Sequence, residues 1–550
     1  MKKYLSLSLA LLLCLGLFAG CGNTDNSTPM ATNAEADRFT FAPLPTVGIN
    51  YPLDDEDPTE DELPEPVELD VLKRDTNSTV VKNEKDPVRY VMIYNPAIYD
   101  PDALRNPTLS TGNFYSQIDV SMHRGDGLTT TPEHTDISQE DINQGFPLDG
   151  ANLDGDRAGS FAPKYRVGDS KYFYCYDQRS SNLPRLYLNF QCRYAGTYCN
   201  IWVYDRSITD SLAKEYGQTF DEDIYEQMAQ TFGEPRYADE GGKVNLLYYP
   251  LPDNWGGVFC MLDLYASNEV TRQEIEQYGV NTDHAIVHID SVTCSDSRYK
   301  LFSISTMAHE FQHLICGTGY FLSYNYAYCP SWINEAMSGY VEQMLFPGSK
   351  EMHTQCFLNS EGIRHGQSLY NFSTTETDIG VYGSVYMYSQ YLDRLAGDDV
   401  FANFHYYWRN AVSRTLNDAE ALANSVPTSV YDDIDRCTPY PTRLYFPTEE
   451  QSWLSKLTLH FYLDLLDQDD TDPEAFAEVD PAYLLYDQLD GAEIEGGGRI
   501  IIALDGTSYT IPKDADNGLI YIGLNKDFEV VTPMIVHYYK KLRDYLKMYM

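Results

Sequence analysis

The segment Thr306-Met307-Ala308-His309-Glu310-Phe311-Gln312-His313-Leu314-Ile315 constrains this chain more than any other stretch. Met307, Phe311, Leu314 and Ile315 follow the i, i+4, i+7, i+8 spacing of an apolar helix face, which predicts a helix here. Ser303 and Ser305 offer N-cap oxygens ahead of the run, and Gly317 offers a stop behind it. On such a helix His309 and His313 lie one turn apart on one side, so their imidazole nitrogens can meet a single metal ion. Glu310, inside this H-E-x-x-H, can reach a water on the metal without being a ligand itself. Zinc lowers the pKa of such a water to about 7, where a neighbouring carboxylate can take its proton as the water attacks a carbonyl.

Catalytic zinc needs three protein ligands and an open position. Ser331-Trp332-Ile333-Asn334-Glu335-Ala336-Met337-Ser338 supplies the third. Pro330 is placed to open a helix, and Trp332, Ala336, Met337, Tyr340, Val341 and Met344 give that helix an apolar face. Glu335 falls 22 residues beyond His313, room for a loop and a return helix.

H-E-F-Q-H followed by W-I-N-E-A is similar to the gluzincin metallopeptidases, the broad clan that holds thermolysin and the aminopeptidases. The form A-H-E-F-Q-H-L-I most resembles the hyicolysin family of secreted bacterial metallopeptidases, over about Leu186 to Gly397. The resemblance implies zinc at His309, His313 and Glu335, Glu310 as general base and a polypeptide substrate. It also marks a departure. Thermolysin-type enzymes carry an acid four residues after the glutamate ligand to orient a histidine, and here that position is Gly339. The orienting group must come from elsewhere, with Glu342 one candidate. In related aminopeptidases a tyrosine at the start of a later helix steadies the tetrahedral oxyanion. Tyr382 matches that placement best and Tyr386 next; with 46 tyrosines in the chain, both stay open.

The amino terminus reads as an export signal. Lys2 and Lys3 precede an apolar run from Leu5 to Phe18, ending Ala19-Gly20-Cys21, the pattern of a lipoprotein signal peptide with Cys21 lipidated. An ordinary signal peptide or an uncleaved anchor is the alternative. The expected location is extracytoplasmic, lipid-anchored to the bacterial cell membrane or envelope. Residues 21–87 are acidic and Pro-punctuated, the composition of a tether or of a pro-segment. The net charge of −43 repels phosphate backbones, so nucleic acid is excluded as a partner. Nothing in the sequence sets an oligomeric state.

Residues 88–300 read as a strand-rich N-terminal lobe, with strands at Arg89–Tyr94, Lys171–Tyr176, Val244–Tyr249, Val258–Leu264 and Ala285–Ile289, and a hairpin turning at Gly196. Gly257–Leu264 reads either as the substrate-pairing edge, by β-augmentation, or as a core strand. His284 and His288 read as structural. Residues 301–425 form the helical zinc-binding lobe, and 426–550 turn from helix to strands at Gly498–Leu504 and Leu519–Ile522. The fold class is therefore α+β: a zincin-like unit with a strand-rich N-terminal lobe, a helical C-terminal lobe and a small C-terminal β module. Asp149–Asp156 and Asp514–Gly518 are oxygen-rich enough to raise structural Ca2+, although neither completes an EF-hand loop and acidic turns explain both. Nine cysteines remain once Cys14 and Cys21 are set aside; Cys316 with Cys329, and Cys192 with Cys199, are the plausible bridges.

The expected function is peptide hydrolysis by a zinc-dependent endopeptidase. A surface binding protein or adhesin on a zincin scaffold is the rival from another class, and the complete His309, Glu310, His313 and Glu335 set argues against it. An aminopeptidase would need an acidic clamp of the G-x-M-E-N type before the zinc helix, and no such segment occurs. Structural zinc is a weaker reading, since three ligands beside a free Glu suit catalysis better. Cobalt or manganese could occupy the same ligands.

Overall fold

A computed structural model describes, for the most part, residues 88–98, 165–177, 185–236, 242–409, 418–431, 449–466 and 481–529, with short strands at 79–82, 109–110 and 113–114. Cys21, the signal segment, the tether apart from the strand at 79–82, and both acidic patches considered for Ca2+ lie outside the described residues. The fold is α+β.

Its largest sheet has six strands, in the order Ser170–Cys175, Leu186–Ala195, Cys199–Val203, Val244–Tyr249, Ala285–Asp290, Gly257–Val258. Cys199–Val203, Val244–Tyr249 and Ala285–Asp290 run parallel. Every residue of these three is buried, which is why they are mostly apolar without alternation, and their polar members Asn200, Asn245, His288 and Asp290 are buried too. The Ser170–Cys175 and Leu186–Ala195 strands add antiparallel on one side, and the predicted hairpin at Gly196 is present. Its turn requires glycine: a Cβ there would meet Asp221 Oδ2, whose carboxylate accepts the N–H groups of Thr197, Tyr198 and Cys199.

The other margin is the edge strand Gly257–Val258, antiparallel to Ala285–Asp290. The expected strand over Val258–Leu264 is thus two residues long at its start, and Met261–Leu264 is a 3₁₀ turn. A buried salt bridge from Arg185 to Asp263 holds that turn, a long-range contact that periodicity does not report.

A central helix, Lys300–Leu322, packs against the sheet. Its predicted face is buried: Met307, Phe311, Leu314 and Ile315 are at most 1% exposed. Each side chain so buried contributes about 1.5–3 kcal/mol relative to exposure. Phe311 lies against Phe220 and Tyr225, with ring centroids at 5.0 and 5.5 Å. The helix ends differ from expectation. Ser303 and Ser305 sit inside it, donating to the carbonyls of Tyr299 and Phe302, and the helix runs on past Gly317. Gly317 is a packing residue, because a Cβ there would lie 2.7 Å from Phe259 Cζ.

Pro330 opens the return helix Ser331–Leu345, which packs on the central helix and on a third helix, Gly380–Ala396. The third helix stops at Gly397, at φ +88°, as its sequence predicts. The two C-terminal strands do not build a module of their own. Arg499–Ala503 and Ile520–Leu524 flank Tyr90–Tyr94 in a three-stranded antiparallel sheet, so the first described strand of the body belongs with the last.

Candidate metal centre

The central and return helices bring His309, His313 and Glu335 together, with one donor atom from each lying within 4.8 Å of the others. Glu335 Oε2 is 3.2 Å from His309 Nε2 and 3.5 Å from His313 Nε2. Bonds of about 2.0–2.1 Å to a tetrahedral ion put ligand atoms roughly 3.3 Å apart, so both Glu335 distances match zinc spacing. Two imidazoles and a carboxylate are also the donor chemistry that zinc accepts.

The remaining ring nitrogens are occupied. His309 Nδ1 donates to Glu342 Oε1 at 2.8 Å, which leaves Nε2 for the metal. Glu342 sits two helical turns beyond Glu335 and is buried. Its second oxygen lies 3.0 Å from His353 Nε2, on the helix Lys350–Leu358. Glu342 thus stands where the missing acid at Gly339 would have been needed. Gly339 itself lies against Tyr386, and a Cβ would come 3.2 Å from that ring. Ser338 Oγ is 3.3 Å from His313 Nδ1. His353 was not legible beforehand, since a histidine eleven residues past Glu342 matches no short-range pattern.

Burial opposes charge on His309, but its bonds to Glu335 and Glu342 outweigh that and hold its pKa well above the ordinary imidazole range. Burial likewise opposes charge on Glu335, and the neighbouring histidines bring its carboxyl down to about 2. The set therefore favours a positive ring system beside carboxylates, the electrostatics that a divalent cation would take over.

Glu310 is buried on the same helix. Burial pushes its carboxyl above the usual range, while the charges of His309 and His313 pull the other way. The backbone N–H of Phe259, the residue after the edge strand, also favours the charged carboxylate. Gly257 presses on its stem: a Cβ at Gly257 would lie 2.7 Å from Glu310 Cγ. The sheet edge and the Glu310 carboxylate are therefore in direct contact.

Tyr382 lies in the first turn of the Gly380–Ala396 helix, 46% exposed. Tyr386, one turn on, is fully buried; its hydroxyl donates to Gln343 Oε1 at 2.7 Å and its ring stacks on His353. His288 is buried and bonded to Asp263 at 2.8 Å, away from the metal cluster. Among the described residues every cysteine is a free thiol. The Cys192 and Cys199 thiols donate to different carbonyls, of Tyr194 and Gly217, so the hairpin is unbridged. Cys316 and Cys329 are both buried thiols in contact with one another.

No known protein-family profile matches the chain. It is similar to the neutral metalloprotease ShpI of Staphylococcus hyicus, 28% identical over 244 residues. That match covers 42% of this chain and 52% of the relative, so the chain spans about half the length of the curated relative it matches. The likeness supports a metalloprotease relationship.

Proposed function

We propose that this chain is a zinc-dependent metallopeptidase of the gluzincin type, cutting within polypeptides. The observation that carries this is the convergence of His309, His313 and Glu335 within 4.8 Å of one another, beside the non-ligand carboxylate of Glu310. Likeness to a neutral metalloprotease supports the same conclusion.

Zinc bound by these three residues would supply a Lewis acid to polarise the scissile carbonyl and acidify a water. Glu310 takes the proton of the attacking water on its carboxylate and passes it to the leaving nitrogen. Glu342, bonded to His309 Nδ1, keeps Nε2 pointed at the ion. Tyr382 is proposed to donate to the developing oxyanion from its exposed place at the helix start. The substrate backbone extends along the free side of Gly257–Val258, adding a strand to the sheet. The amino-terminal pattern ending at Cys21 supports a lipid anchor outside the cytoplasm, and the acidic tether would let the body reach its substrates.

The deciding experiment expresses the chain from residue 22 onward, digests a diverse peptide mixture and compares Glu310→Gln. The expected result is internal cleavage by the wild type, absent in the variant, with one zinc per chain in both. No cleavage and no bound zinc would overturn the proposal.

A further inference from the structure

Below the sheet edge lies a buried polar cluster that the metal chemistry does not use. Asp263 is completely buried in the 3₁₀ turn that follows the edge strand. Arg185 clasps it with both terminal nitrogens, at 2.9 and 2.5 Å, and donates Nε to the carbonyl of Gly279. His288 Nε2 lies 2.8 Å from Asp263 Oδ2, and Asn281 adds its backbone and side-chain N–H groups to Oδ1. His288 Nδ1 faces the Tyr249 hydroxyl at 3.0 Å. That hydroxyl can donate to Nδ1 while Nε2–H donates to Asp263, which makes His288 a neutral ring; its burial favours the same state.

The cluster grips both ends of one short segment. His288 is the register partner of Val258 on the edge strand, and Asp263 lies in the turn five residues later. At the start of this segment Gly257 packs on Glu310, where a Cβ would lie 2.7 Å from Cγ and 3.1 Å from Oε1. A two-residue strand has too few ladder bonds to hold its own position. A saturated ion pair, anchored on the neighbouring strands, can do so.

We propose that Asp263, Arg185 and His288 form a clamp that sets the edge segment against Glu310, making them positioning residues for substrate binding along that edge. This rests on the peptidase proposal. The clamp fixes where a substrate backbone lies relative to the catalytic carboxylate, and it does so without touching substrate or metal.

Hydrogen–deuterium exchange and kinetics on the full-length protein test it, comparing wild type with His288→Gln and Tyr249→Phe. Asp263→Asn is avoided as the main probe because it strands the buried Arg185 charge. Both variants are expected to exchange about tenfold faster over residues 256–265, with the Ser331–Leu345 helix unchanged. KM for an extended peptide should rise roughly tenfold, with kcat within about threefold and zinc content equal to wild type. A purely structural cluster would lower the melting temperature but leave KM of the folded enzyme where it was. Unchanged exchange over 256–265, or faster exchange with unchanged KM, would overturn the clamp. Should His288→Gln fail to fold, Tyr249→Phe, which loses one hydroxyl and keeps the ion pair, decides by the same criteria. A wild type that binds no zinc and cuts no peptide overturns the peptidase proposal itself; active wild type with indistinguishable variants overturns the clamp alone.

Discussion

Glu342 accepts a hydrogen bond from His309 across the two ligand helices, at 2.8 Å, and shares its other oxygen with His353. One carboxylate thus ties the first candidate metal-ligating histidine to a helix outside the candidate ligand set. Removing it should loosen the ring without removing a donor. Glu342→Ala is expected to weaken zinc binding about 10–100-fold, the usual effect of losing such a partner. Competition against a chelator of known affinity measures this. Zinc affinity equal to wild type would show that Glu342 does not orient His309.

Gly257 makes a sharper prediction at the other side of the centre. A Cβ at this position would lie 2.7 Å from both Glu310 Cγ and Thr306 Cγ2, so either the strand or the carboxylate must move. Displacements of about 1 Å at a reacting group can cost on the order of 100-fold. Gly257→Ala should therefore lower kcat/KM by about 10–100-fold with zinc still bound. Steady-state kinetics beside metal analysis checks it, and full activity would mean that the edge is further from the chemistry than proposed.

The two tyrosines separate by burial. Tyr382→Phe is expected to cut kcat by about 100–1,000-fold, as for loss of an oxyanion donor, with little change in stability. Tyr386→Phe instead loses the bond to Gln343, worth about 1 kcal/mol of stability, and should leave kcat near wild type. Matched kinetics and thermal melts distinguish them. The reverse pattern would transfer the oxyanion role to Tyr386.

The parts of this architecture legible in the sequence are those written in local repeats. The central helix follows from the spacing of Met307, Phe311, Leu314 and Ile315, and the parallel strands from mostly apolar, non-alternating runs. His309, His313 and Glu335 were legible because metal chemistry demands those residue types at those spacings. Features that depend on distant partners were not. Ser303 and Ser305 carry helix-start chemistry, yet the helix begins earlier, after the turn Ser297–Tyr299. Met261–Leu264 reads as strand, but Asp263 is drawn into a turn by Arg185, 78 positions away. Tyr90–Tyr94 pairs with strands some four hundred residues later, a contact no local pattern encodes.

His405 supplies a pH prediction independent of the metal. It is buried on the helix Val400–Arg409, edge-on to Phe232 and beside Gly319 of the central helix. Its Nε2 has no hydrogen-bond partner. Burial, with the nearby Arg409 charge adding to it, lowers its pKa from 6.5 to about 3. Between those two values the unfolded chain binds a proton that the folded chain refuses. The stability owed to neutral His405 is therefore complete above pH 6.5 and falls as the pH drops. The slope is about 1.4 kcal/mol per pH unit, or about 2 kcal/mol between pH 7 and pH 5. In His405→Phe that component should vanish, so the wild-type-minus-variant difference in unfolding free energy should shift by this amount across the interval. Denaturant melts of both proteins at each pH, with chelator present to remove metal linkage, measure it. A difference independent of pH would mean that His405 already takes up its proton in the folded state.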